Sequence, residues 1–211
     1  MSTAPTAPSP ARHGILFVVS APSGAGKTTL VKAALLADPG LSLSVSCTTR
    51  TPRAGEQDGL DYFFVDAMEF ARRRDAGEFV EWAEVFDHAY ATPRARLDAA
   101  IAAGRDVLLD VDIQGARSIK RAYPADAVGI FIVPPSLAVL EQRLRARGTD
   151  TEAQIQRRLA RARDEITAAR ELGVYDYRIN NEDRATATRD LLAIIASERL
   201  RPSRSGAVHL D

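Results

Sequence analysis

The chain lacks several features that would define it at once. Its 211 residues include a single cysteine, Cys47, so no internal disulfide framework can form and a reducing compartment is expected. The 3 histidines (His13, His88 and His209) are scattered, which leaves no His-based metal cluster. Formal net charge is +0, from 28 basic and 28 acidic residues. No global field therefore draws in nucleic acid or an anionic membrane, and an anionic ligand has to be held by local clustering. Lysine occurs only at Lys27, Lys32 and Lys120, the other basic residues being arginine. Apolar runs such as 15–19 and 107–109 fall far short of the about 18 residues a membrane span needs. No repeat is visible at periods of about 20–50 residues.

What is present is an ordinary globular composition, 45% hydrophobic and 27% charged, with length for one large or two small domains. Residues 1–12 (MSTAPTAPSPAR) have no apolar stretch of the kind a secretory signal carries, and read as a disordered tail. The segment 201–211 reads as a second loose end. Between them strands and helices alternate. Runs at 15–20, 43–46, 107–111, 128–133 and 177–180 read as strands, with helices at 28–37, 136–147, 151–172 and 183–200. Thr92-Pro93 opens a further helix with Thr92 as its cap. Near-continuous apolar strands alternating with helices predict a doubly wound parallel α/β sheet. The aromatic segment 46–92, with short strands at 62–65 and 79–82, breaks that rhythm and reads as an insertion with its own small sheet.

The strongest local signal is Ser20-Ala21-Pro22-Ser23-Gly24-Ala25-Gly26-Lys27-Thr28-Thr29, which follows a strand and opens a helix. Gly24 and Gly26 let the backbone turn its N–H groups inward as an anion nest, and the helix adds its positive end. Lys27 then supplies a point charge for β- and γ-phosphates, and the Thr28 hydroxyl a ligand for Mg²⁺. The strict pattern GxxxxGK(S/T) begins with Gly where this chain has Ala21, a small residue that still fits.

Arg50 and Arg53 flank Pro52, with no acid within two residues of either. Two forks at fixed spacing suit one phosphate, though a loop pair of this kind can also be plain surface. The buried strand 107–111 leads into Asp110 and Asp112, at the end of a parallel strand where ligands collect. Asp110 sits where an acid would orient Mg²⁺ or its water; the two acids could equally cap the next helix. Arg143 and Arg147 lie four apart on one helical face. They suit either an anionic transition state or a solvated face paired with Glu141 or Glu152. Cys47 has no neighbouring base and reads as a bystander.

In order along the chain, SAPSGAGKTT, VSCTTRTPRAGEQDGLDYFFV, EFVEWAEV, AYAT, VLLDVDIQGA, IVPPS, RLRARGTDTEAQIQRRL and YDYRINNED resemble guanylate kinase of the bacterial type, over roughly residues 14–200. The resemblance implies an α/β fold, a parallel-sheet P-loop NTPase core, with an inserted small α+β GMP-binding region and a helical lid. It places the core at 13–45, 93–140 and 173–200, the GMP-binding insertion at 46–92 and the lid at 141–172. It implies transfer of a phosphoryl group from ATP to GMP, with Mg²⁺; composition adds a cytoplasmic setting and no nucleic-acid or membrane partner. ATP would lie on residues 21–29, with Asn181 near the adenine. Asn180 stands before it, where an apolar residue is usual. Arg50 and Arg53, with the hydroxyls of Tyr62 and Tyr90, would hold the GMP phosphate, and Ser46, Glu81 and Thr92 would read the guanine. Asp112 would face the GMP side, Thr28 and Asp110 the metal. Lys27, Arg143, Arg147 and Arg158 would carry catalysis, with Gly148 as the lid's hinge. The chain departs from the family at Tyr90-Ala91, where Tyr-Gly is usual. If that Gly needs positive φ, Ala91 strains the loop by about 1 kcal/mol. An intact Lys27, Thr28 and Asp110 argue against a scaffold module that only binds, and Ser46 with Glu81 argues against a sugar-phosphate kinase.

Overall fold

In the computed structural model, residues 12–85, 87–146, 148 and 150–204 are described. The strand β1 (Leu16–Ser20) is buried along its whole length, because its alternate residues serve two different cores. Phe17 and Val19 pack with Leu30, Val31 and Ala34 of α1 (Lys27–Ala37) and with Leu191 and Ile195 of α7 (Arg184–Arg199). Leu16 and Val18 face the other way, onto Leu97 and Ala100 of α3 (Arg94–Ala102) and Ala116 and Ile119 of α4 (Ile113–Ala122). Around β1 a five-stranded sheet forms in the order β2-β7-β1-β8-β9, from β2 (Leu41–Leu43), β7 (Asp106–Asp110), β8 (Ala127–Val133) and β9 (Tyr177–Asn180). Every pairing in it is parallel. The first strand lies in the middle and its neighbours belong to later parts of the chain, which is the doubly wound arrangement.

A second sheet, ordered β4-β3-β6-β5, is built from β3 (Ser46–Thr48), β4 (Tyr62–Phe64), β5 (Phe79–Val85) and β6 (His88–Pro93). One face is closed by α2 (Ala67–Asp75), whose Phe70 stacks on Phe79 at 4.9 Å beside Cys47 and Ala91. Asp66 caps α2 by accepting from the Glu69 amide at 2.7 Å. Two further helices, α5 (Leu137–Ala146) and α6 (Glu152–Glu171), pack on each other through Leu140, Leu144, Ile155 and Ala162. Thr151 and Gln154 close a capping box at the start of α6. Among the described residues no helix is long and apolar enough to cross a membrane.

Four expectations need correction. The single strand at 43–46 is two strands in two different sheets, β2 and β3, parted at Ser44-Val45. The helix expected from Thr92-Pro93 starts later. Thr92 is the penultimate residue of β6, and Pro93 takes the cap position without a side-chain bond. Ala91 carries no strain: the only positive-φ non-Gly residue among those described is Asp87, and Ala91 is a buried strand residue paired with Cys47 and Trp82. Finally, neither chain end is loose throughout. Arg12 pairs with the buried Asp106 at 2.8 Å, and residues 202–204 form a turn of 3-10 helix whose Arg204 meets Glu198 at 3.3 Å. The first tie sits at the start of β7, opposite the end where the candidate site lies, and the second at the end of α7.

Candidate nucleotide site

The carboxyl ends of β1 and β7 open onto the loop before α1. Gly24 and Gly26 have φ of +91° and +94°, which side chains of L-residues rarely adopt. Gly26 occupies the cap position of α1 with no side-chain bond, so the first-turn N–H groups of the helix, which borders the cleft, are not capped by that residue. That is the local condition for binding an anion. The cleft measures about 1080 Å³, and its lining brings Gly24, Gly26, Lys27 and Thr28 together with Asp112, Arg143 and Arg158.

Lys27 rests against the end of β7, its Nζ 2.6 Å from Asp110 Oδ1 and donating to the Val111 carbonyl at 2.6 Å. Asp110 is thus within reach of the loop, as a metal-orienting acid must be. Asp112 instead caps α4, accepting from the Gly115 amide at 2.8 Å, while its backbone carbonyl accepts from the Ser20 hydroxyl at 3.1 Å. The helix-cap reading of the acid pair therefore holds for Asp112, whereas Asp110 is paired with Lys27. Among the described residues no group of three or more His, Cys, Asp or Glu could cage a metal. A bound magnesium needs no such cage, since it keeps waters and takes one or two protein oxygens beside the phosphates. The Thr28 hydroxyl and Asp110 carboxylate are hard oxygen donors of that kind.

Arg145, rather than Arg143, takes the acids of the helical face, bonding Glu141 at 2.8 Å and also Glu152. Arg143 turns to the cleft and donates to the carbonyls of Asn181 at 2.9 Å and Glu182 at 3.2 Å. Arg158 lines the same cleft and meets Asp150 at 3.3 Å. Arg157, Arg161 and Glu165 also line it. The 3.6-residue spacing of α6 held the signal for the last two, which lie three and seven residues beyond Arg158. Arg147 lies outside the described residues. Asn181 is buried beneath the loop, and its side-chain amide donates to the Ala25 carbonyl at 2.7 Å.

On the second sheet, Arg50 is buried, 5.2 Å from the Tyr62 ring centre and 5.8 Å from that of Phe64. Tyr62 and Tyr90 meet edge to face at 6.0 Å. The residue missed from sequence is Glu56. Its Oε1 accepts from Arg50 at 2.8 Å and its Oε2 from the Arg53 backbone N–H at 2.8 Å. It lies six residues beyond Arg50, and the turn at 53–56 folds it back. Its bond to Arg50 raises the guanidinium's pKa further and lowers its own. Arg53 is exposed beside it.

Glu81 on β5 pairs in register with Thr92 on β6, and the Thr92 hydroxyl donates to its carboxylate. The other carboxylate oxygen lies 3.2 Å from where a Cβ on Gly115 would stand. Glu81 therefore faces the start of α4, next to Asp112. Burial pushes its carboxyl up, the Thr92 bond opposes that, and the charge of Asp112 adds to it. Ser46 is half-buried at the start of β3, in register with Tyr62. Cys47 is fully buried and its thiol is pushed up mainly by that burial, consistent with a packing role.

A family model described as guanylate kinase matches residues 14–198. The chain is 52% identical over 198 residues to a guanylate kinase of Aromatoleum aromaticum, covering 94% of this chain and 95% of that one. It is 54% identical over 191 residues to one of Bordetella pertussis, covering 90% and 87%. A guanylate kinase crystal structure from Anaplasma phagocytophilum superposes with a TM-score of 0.69 at 34% identity, covering 92% of this chain and 91% of that one. With a P-loop at the head of a doubly wound sheet and a Glu–Thr pair on an inserted one, the chain belongs to the guanylate kinase family, enzymes that phosphorylate GMP to GDP with ATP.

Proposed function

We propose that the cleft over residues 21–29 holds the phosphates of ATP, and that the face of the second sheet carrying Arg50, Glu81 and Thr92 holds GMP. In this reading 46–92 binds GMP, 141–172 is the lid, and 13–45, 93–140 and 173–200 carry them. The observation behind it is the junction at α4. Asp112 lines the phosphate-loop cleft, and one helical turn on, Gly115 leaves room for the Glu81 carboxylate from the second sheet. The two candidate sites are neighbours, as direct transfer between two bound nucleotides requires.

Guanine presents N1–H and its 2-amino group side by side, and the Glu81 carboxylate accepts both. Adenine offers an unprotonated N1 there, which would meet the carboxylate lone pair to lone pair. Thr92, whose hydroxyl is held by Glu81, stands at the base edge, with Ser46 across the sheet. Arg50 supplies a guanidinium fork to the GMP phosphate. Tyr62 and Tyr90 close around it, and Arg53 reaches from the exposed side. Glu56 fixes that fork before any substrate arrives, which lowers the entropy lost on binding.

A GMP phosphate oxygen then attacks the γ-phosphorus of ATP in line, with ADP leaving. Both reactants are anionic, so positioning and charge neutralisation make up most of the catalysis. Lys27 leaves Asp110 for the β- and γ-phosphate oxygens, and Arg143, Arg147 and Arg158 offset charge from the lid side. Magnesium, when bound at Thr28 and Asp110, supplies further neutralisation of those oxygens. Lid helices α5 and α6 exclude water that would otherwise accept the phosphoryl group. The cytoplasm, where a lone thiol stays reduced, suits such an enzyme.

Arg50→Lys keeps a cation beside Glu56 but removes the fork. It is expected to weaken GMP about 10- to 100-fold while leaving inhibition by guanosine, which has no phosphate, within about twofold. Calorimetric titration of GMP and competition by guanosine check this. An equal loss for both ligands would show that Arg50 supports the sheet and does not grip the phosphate.

A further inference from the structure

Asn181 lies 156 residues from the phosphate loop in sequence, yet its Nδ2 donates to the Ala25 carbonyl at 2.7 Å. The contact is close enough that a Cβ placed on Gly26 would stand 2.4 Å from the same nitrogen. Asn181 is 6% exposed, and its backbone is fastened on both sides. Its N–H donates to the Val133 carbonyl at 2.8 Å, and its carbonyl accepts from Arg143 of the lid helix at 2.9 Å.

The consequence follows from peptide planarity. The Ala25 carbonyl and the Gly26 N–H belong to one trans peptide and point in opposite directions. Drawing the carbonyl toward Asn181 turns the Gly26 N–H away from it. Gly26 lines the cleft, whereas Ala25 is fully buried behind it. Glycine tolerates both signs of φ, so Gly26 does little to stop this peptide from flipping. The Asn181 amide supplies that restraint from outside the loop.

We propose that Asn181 is a positioning residue, holding the Ala25–Gly26 peptide with its N–H toward the phosphates of the donor nucleotide. Its contribution is then to any polyphosphate on the loop, with or without an adenine. The proposal rests on the reading of residues 21–29 as the phosphate cradle.

The probe is inorganic tripolyphosphate, which has no base, titrated into the full-length protein beside ATP and GMP. Asn181→Ala is expected to weaken tripolyphosphate and ATP alike by about tenfold, with GMP unchanged. Asn181→Asp is expected to cost more, about 10²-fold at neutral pH. A carboxylate repels the Ala25 carbonyl and attracts the Gly26 N–H, so it favours the flipped peptide. Measured relative to wild type at each pH, that deficit should shrink as the pH is lowered toward about 5, since burial raises an aspartate's pKa and the protonated acid can again donate. Weakened ATP with unchanged tripolyphosphate would overturn the proposal in favour of an adenine contact. A loss of GMP, ATP and tripolyphosphate together, with no recovery in acid, would overturn it in favour of simple loss of structure. If tripolyphosphate binding also ignores Lys27→Ala, the cradle reading itself fails; if Lys27→Ala weakens it and the Asn181 variants do not, only the positioning role fails.

Discussion

Lys27→Ala is expected to leave the fold intact and lower turnover by about 10³-fold. Two parts of the structure set that expectation. The Lys27 ammonium is the cation of the phosphate loop itself, and among the described residues it pairs with Asp110 and the Val111 carbonyl at the mouth of the cleft. Both partners of the ion pair are partly exposed, at 19% and 29%, so Asp110 left alone is still hydrated and stability should change by no more than about 1 kcal/mol. The loss should appear mainly in kcat, because the charge on the transferring group is greatest where no water can screen it. Steady-state kinetics beside a thermal melt check this. A variant that melts normally and turns over near the wild-type rate would remove Lys27 from the chemistry.

Glu81→Gln should separate the two substrates. A glutamine amide offers one acceptor and one donor where guanine needs two acceptors, so a base N–H is left facing an N–H. Mismatches of that kind in a buried polar site cost about 10⁴-fold at the upper end. A loss of about 10²- to 10⁴-fold in kcat/KM for GMP is expected, with the KM for ATP within about twofold. Unfolding does not explain such a loss, because the native site already penalises the charged glutamate and the neutral amide removes that penalty. The pH dependence has a definite sign. With its carboxyl raised by burial, Glu81 is protonated on acidification sooner than an ordinary glutamate. GMP affinity therefore falls as the pH drops through that raised value, while the contribution of Glu81 itself to stability rises over the same interval. Glu81→Gln should lack both trends; GMP titrations and melts across the acid range, compared between the two proteins, test the assignment. Unchanged GMP kinetics in the variant would remove Glu81 from guanine reading.

How much of this was legible depended on whether the signal was local. The phosphate loop was, because glycine spacing, a preceding apolar strand and a following helix all fall within one short stretch. The buried strands β1, β7 and β8 were also plain, being apolar on both faces. By contrast β6 was hidden. Its HAYATP sequence alternates small and polar residues, and Pro93 resembles a helix opening, so only pairing with β3 and β5 makes it a strand. The break between β2 and β3 was hidden for a similar reason, since one short apolar stretch serves two sheets. In the site, Arg50 and Glu81 were legible through family motifs. Glu56 was not, because its partnership with Arg50 depends on a turn that brings residues six apart together. Asn181 could be located but not interpreted. Its contact with Ala25 spans nearly the whole chain, and no spacing rule reports it.

The most direct test of the account is ADP production by the purified protein with ATP and Mg²⁺, offered GMP, AMP, CMP, UMP and ribose phosphates in parallel. Strong turnover is expected with GMP and little with the others, the discrimination residing in Glu81 and Thr92. Turnover on a sugar phosphate alone, or none with GMP from a folded protein that still binds it, would contradict it.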